Sequence, residues 1–257
     1  MTVNNIARNQ MSNAMMRVAS GNRINSAADD AAGLAITENM TAQIRGLDQG
    51  ERNTRDMQAM INTAEGGLET VADSLNRIRE LSVQGLNGTL TEGQRAMIQN
   101  EIGQLAEGIQ DATRGTEFNT MTLLDGSMQN VNTAAGADGR GPVFSINDMS
   151  SIAQAMTAIA EDGSFDLDAI DSATNQVSGE RANLGALSNR MDYTANANSV
   201  SSLNLVDARS RIADADMPRE MLNVEQDRML NEVQILMQQR QQEQAEDSVL
   251  RTLQTGA

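Results

Sequence analysis

The stretch from Met57 to Ser82, MQAMINTAEGGLETVADSLNRIRELS, constrains the fold more than any other part of the chain. Its apolar residues fall at Met57, Ile61, Ala64, Leu68, Val71, Leu75, Ile78 and then Leu81 or Ser82, at alternating steps of four and three. That heptad rhythm keeps one seam of a long helix against a partner helix. The rest of the chain supplies partners. Ile98, Ile102, Leu105, Ile109 and Ala112 repeat the spacing over 94–113. Asn87-Gly88 offers a tight reversal between the two helices, and Thr91 with Glu92 or Gln94 opens the second. A further seam begins near Asp166, with Ile170, Val177, Leu184 and Met191 every seven residues and Ala173 and Leu187 between them. Glu180, Thr194 and Asn198 interrupt it, which predicts less uniform packing.

Composition points the same way. Only 2% of the 257 residues are aromatic, namely Phe118, Phe144, Phe165 and Tyr193. A thick core would use more rings, whereas a slender bundle is one or two side chains deep. Seventeen Met suit helices and fill irregular gaps, and Pro142 and Pro218 are the only helix breakers of their kind. The expected fold class is therefore mainly α, an elongated antiparallel helical bundle or coiled coil with one small β-hairpin near 125–148. Val143 to Ile146 is its predicted strand. The helix that opens near Ala35 continues through Met40, Ile44 and Leu47 into the Met57–Ser82 seam, and Gly46 and Gly50 weaken it locally by roughly 1 kcal/mol each relative to Ala.

Several function classes lack support. A net charge of −16 with a pI near 4.3 repels phosphate backbones, so no nucleic-acid partner is expected. The chain has no His and no Cys, which removes the commonest general base, the commonest metal ligand and all thiol chemistry. No cofactor, metal or catalytic residue is expected, and the glycine-rich GADGRGP lacks the Lys-Ser/Thr of a phosphate loop. Asp214 and Asp216 form a carboxylate pair with no base, nucleophile or metal ligand to support catalysis. No run of 18 apolar residues exists, so membrane insertion is not expected. The N-terminus carries no apolar h-region and does not read as a cleavable secretory signal.

The two ends read as helices that need partners. Residues 1–20 place Val3, Ala7, Met11, Ala14 or Met15, and Val18 along one side. Gly21 and Asn22 suit a turn, after which Ser26 or Asp29 caps a helix with Asp30 in its first turn. Near the other end Asp216 caps a helix with Pro218 in its first turn. The apolar side of that helix runs through Leu222, Met229, Val233 and Leu236, nearly vanishes over 238–247, and returns at Val249, Leu250 and Leu253.

The string RVASGNRINSAADDAAGLAI, Arg17 to Ile36, closely resembles the connector signature of bacterial flagellins, with Arg23, Ile24, Asn25, Asp29 and Asp30 at its centre. SLNRIRELSVQGLNGT (74–89), TEFNTMTLLDGS (116–127), ANLGALSNRMDYT (182–194) and ARSRIADADMPREM (208–221) resemble further signatures of that family. In the last of these, Asp214, Asp216 and Met217 are the characteristic step. The resemblance implies a structural protein, not an enzyme, that serves motility as a self-assembling subunit of the extracellular flagellar filament. It implies export in unfolded form through the flagellar type III apparatus. Its implied partners are further copies of itself, an export chaperone, and the filament cap and hook-junction proteins.

The resemblance also implies a division of the chain. Residues 1–20 would be an N-terminal inner-core helix, 21–36 a connector, 37–206 an outer-core bundle and 207–257 a C-terminal inner-core helix. The segment before Arg17 is shorter than the family's usual N-terminal arm, which predicts a lopsided terminal helix pair. Carried over to this sequence, contacts with the host's flagellin-sensing Toll-like receptor would fall on Arg77, Leu81 and Glu101. By spacing alone, Leu81 is equally a seam residue. Arg79 and Arg77 are expected to face a neighbouring subunit. A hook–filament junction protein and a secreted immune-receptor ligand are the alternative readings.

Overall fold

The computed structural model describes the backbone of residues 2–255 and the side chains of residues 9–244. The expected apolar positions Val3, Ala7, Val249, Leu250 and Leu253 lie outside the described side chains. Among the described residues there are six helices and four two-residue strands, so the fold is mainly α. The helices are α1 (Thr2–Ser20), α2 (Ala31–Gly85), α3 (Glu92–Gly115), α4 (Ser150–Asp162), α5 (Leu167–Ala213) and α6 (Met217–Thr255). The strands β1 (Glu117–Phe118) and β2 (Met121–Thr122) pair antiparallel, as do β3 (Val131–Asn132) and β4 (Val143–Phe144).

One hairpin was expected and two are present. The additional one closes on Asn119 and Thr120, both at positive φ (50° and 64°). A two-residue hairpin loop with both residues at positive φ is the turn whose twist matches that of the flanking strands. The strand predicted over Val143–Ile146 stops at Phe144, and Ile146 instead donates its N–H to the Met128 carbonyl.

The chain divides into two compact units, residues 43–202 and residues 1–42 with 203–257. In the 43–202 unit the heptad seam is the core. Ile61, Ala64, Leu68, Val71, Leu75 and Ile78 of α2 are completely buried with Ile102, Ala106 and Ile109 of α3, and with Ile170, Val177 and Met191 of α5. Burial of each Leu or Ile contributes roughly 1.5–3 kcal/mol. Leu81 and Ser82 both lie inside, at 2% and 0% exposure. Leu105 and Ala112 are only partly buried, and Ala106 and Thr113 take the deeper positions on α3. Thr91 and Gln94 close a reciprocal capping box at the start of α3. Helix α4 packs on α3 through Ile152, Ala153, Met156 and Ile159, and ends at Gly163 with φ 64°.

Two of the three polar residues that interrupt the α5 seam, Glu180 and Asn198, anchor the irregular segment 128–149. Glu180, 2% exposed, accepts from the Asn147 backbone N–H and side-chain amide. Asn198 is buried and donates to the Ala135 carbonyl at 2.8 Å, while Asn53 of α2 donates to the Ala134 carbonyl at 3.0 Å. Thr194 bonds back to Arg190 of its own helix. Gly46 and Gly50 belong to the same arrangement. A Cβ at Gly50 would sit 1.8 Å from the Ala135 carbonyl oxygen, and one at Gly46 would sit 2.9 Å from the Ala137 Cα. These glycines let a loop backbone lie directly on a helix, an advantage that offsets their poor helix propensity.

In the other unit α1 packs against α6. Arg17 Nη1 lies 3.8 Å from Glu220. Of the alternatives on α1, Ala14 is buried and Met15 is half exposed.

Candidate functional site

The connector and the 208–221 segment are brought together. Gly21, at φ 70°, ends α1 by donating its N–H to the Arg17 carbonyl. The next residues form a short antiparallel bridge, with Asn22 opposite Asp214. Arg23 N–H donates to the Ala213 carbonyl at 2.6 Å, and Ala215 N–H donates to the Gly21 carbonyl at 2.9 Å. The Arg23 guanidinium reaches the Ile212 carbonyl at 2.7 Å and sits 3.8 Å from Asp30. Ile24 is buried at 5% exposure, and a Cβ at Gly33 would lie 2.8 Å from its Cδ1.

Four acidic residues close this junction. Asp29 accepts from the backbone N–H groups of Asn25 and Ser26 and from the Ser26 hydroxyl. Those hydrogen bonds, led by the one from the Asn25 backbone, hold its carboxyl below the usual carboxylate range, with Arg17 assisting. The helix cap is therefore Asp30, which accepts from Gly33 N–H at 2.8 Å, and neither Ser26 nor Asp29 serves as the cap. Asp29 is spent one step earlier, in tying the loop. Asp214 accepts from the Ser210 hydroxyl at 2.6 Å. Asp216 accepts from Arg219 N–H at the start of α6, and Met217 opens that helix half-buried.

Helix α6 is turned the unexpected way. Its half-buried positions from Glu220 to Gln234 are Glu220, Val224, Asp227, Asn231 and Gln234, at steps of four and three. Glu220 and Asp227 line a groove with Gln10, Asn13 and Arg17 of α1. The expected apolar side, Leu222, Met229, Val233 and Leu236, faces away and is 52–66% exposed. Leu230 and Met237 extend the same uncovered apolar surface.

The charged patch of the 43–202 unit is built of ion pairs. Arg77 on α2 holds Glu101 on α3 at 2.8 Å and Glu80 at 3.2 Å, and Arg79 holds Asp171 on α5 at 2.8 Å. Both guanidiniums are held above their ordinary range, Arg77 by Glu101 and then Glu80, Arg79 by Asp171. Leu81 does not join the patch. It lies in the core beneath, because the heptad that places Ile78 inward places Leu81 inward too.

This assembly of side chains defines a helical structural protein with a tied terminal junction and an uncovered apolar helix. The description "bacterial flagellin N-terminal helical region" fits residues 1–129, and "bacterial flagellin C-terminal helical region" fits residues 167–253. A flagellin of Halalkalibacterium halodurans is 42% identical over 256 residues, covering 95% of this chain and 93% of that relative. A flagellar filament core protein of Brachyspira hyodysenteriae is 35% identical, covering 88% and 87%. In fold alone, the chain resembles a Vibrio parahaemolyticus protein assigned as flagellar hook-associated, with a TM-score of 0.58 at 19% identity over 72% of this chain and 100% of that one. The chain belongs to the bacterial flagellin family. That family is structural, and this protein is not an enzyme.

Proposed function

We propose that this chain is a structural subunit of an extracellular flagellar filament, polymerising with copies of itself to serve motility. The observation that carries the reading is the outward apolar face of α6. Met229, Leu230, Val233, Leu236 and Met237 are each more than half exposed, while the seam toward α1 is mostly polar. A contiguous apolar surface of this kind marks an interaction site. A head-to-tail contact that does not close on itself yields a helical filament. The same face, unpaired before assembly, suits capture by an export chaperone and delivery in unfolded form through a type III apparatus. Cap and hook-junction proteins complete the partner set, and residues 1–20 and 207–257 act as the inner-core helices.

A receptor-ligand role for the Arg77–Glu101 pair is a second reading. Both side chains are about half exposed, while Leu81 is not available to it without unfolding.

The test is electron microscopy of the purified protein after salting-out. Long filaments are expected from the native chain, and none from V233D/L236D. Filaments from the double variant would remove α6 from the assembly surface.

A further inference from the structure

All 19 cationic side chains of this protein are arginine, and the sequence contains neither lysine nor histidine. Between about pH 6 and about pH 12 the side chains that change charge are imidazoles, thiols, ammoniums and phenols. Of these the chain carries one, the phenol of Tyr193. Its side-chain charge of −16 is therefore fixed to within one charge over that whole span, the α-amino group apart.

The bridges between helices follow the same rule. Arg77 of α2 faces Glu80 of its own helix and Glu101 of α3. Arg79 faces Asp171 of α5, and Arg181 of α5 faces Glu65 of α2 at 3.8 Å. No residue of α4 pairs with any of the three among the described residues. Every one of these bridges joins a carboxylate to a guanidinium, and a guanidinium keeps its proton past about pH 12 whereas an ammonium loses it near pH 10.4. The carboxylate partners of Arg77 and Arg79 push that limit higher still.

We infer that this chain is built for an alkaline medium, with helix bridges and a net side-chain charge that stay constant from about pH 6 to about pH 11. The ecological part of the inference rests on the filament reading, since only a protein outside the cell meets the external pH. The physical part does not. Two copies that each carry −16 repel one another, and a lysine-bearing subunit would add to that repulsion as its ammoniums neutralised. Here the repulsion is set once and stays.

The test uses the unassembled full chain at constant ionic strength. Electrophoretic mobility is expected to be nearly level between pH 7 and pH 11, changing by no more than about two charges, from the α-amino group and the one phenol. The melting temperature of R77K/R79K/R181K should match that of the native chain at pH 7 and fall about 3–6 °C below it at pH 11. A native mobility that drifts by several charges, or a variant that tracks the native chain at pH 11, overturns the inference. Neither readout requires polymerisation, so failure to form filaments at pH 7 counts against the filament reading alone.

Discussion

Glu180 accepts two hydrogen bonds from Asn147, one from the backbone N–H at 3.3 Å and one from the side-chain amide at 2.6 Å. A buried carboxylate in a heptad seam is thereby converted into a latch for the segment that follows β4. Replacing it with alanine leaves both Asn147 donors without a partner, at a cost of about 2–3 kcal/mol. Glu180→Gln, which keeps one acceptor, should lose less than half of that. Urea denaturation measures both, and an alanine variant as stable as the native chain would show that the latch contributes nothing.

Gly50 and Gly66 sit in the same helix under opposite constraints. A methyl at Gly50 meets the Ala135 carbonyl at 1.8 Å, whereas one at Gly66 meets nothing within 4 Å. Gly66→Ala is expected to stabilise the protein by about 0.5–1 kcal/mol through helix propensity and unfolded-state entropy. Gly50→Ala is expected to destabilise it by about 1–3 kcal/mol, because the displaced loop costs more than the helix gains. Paired thermal melts decide the matter, and equal signs for the two would refute the close approach.

Leu81→Ala and Arg77→Glu separate the seam from the surface. Truncating Leu81 opens a cavity in the core and should cost about 2–4 kcal/mol. Reversing the charge at Arg77 removes two exposed ion pairs, each of at most about 1 kcal/mol, sets a third carboxylate beside Glu80 and Glu101, and leaves α2 helical. Circular dichroism and denaturant midpoints distinguish them. Loss of helicity in Arg77→Glu would mean that the seam runs through Arg77.

Acid should loosen the connector first. The Asp29 carboxyl titrates lower in the folded chain than in the unfolded one, so its contribution is complete above the unfolded value near pH 4 and fades as pH falls through the folded value. The protection factors of the Asn25 and Ser26 amides, with intrinsic exchange divided out, should fall over that window and be constant above it. In Asp29→Asn the acid-side dependence at these two amides should disappear. If it persists, another group governs the loop.

Legibility in the sequence varied with the kind of interaction. The seams of α2, α3 and α5 were plain, because periodic burial writes itself as periodic apolar residues. Ser82, Thr113 and Ala106 show the limit of that reading, since small residues, polar or not, fill tight positions as readily as Leu does. Glu180 and Asn198 read as interruptions because their partners are carbonyl and amide groups of a loop with no periodicity of its own. The hairpin at Asn119-Thr120 leaves little mark in the sequence because neither residue is glycine, the usual occupant of positive φ. The apolar side of α6 was identified, but an amphipathic pattern does not say which side meets the neighbouring helix. The connector residues were recognised as a group, while the choice of Asp30 over Asp29 as cap depended on where α2 begins, which is a matter of one residue.

The bridge between Asn22 and Asp214 has a consequence for the order of events during synthesis. Arg23 finds its carbonyl partner at Ile212, 189 residues downstream. A chain made from its N-terminus leaves Gly21, Asn22 and Arg23 to water until residues 212–215 have been made. Such a distant pairing closes late. The junction therefore forms only in a chain extended past residue 215, since a shorter one has no strand to offer it.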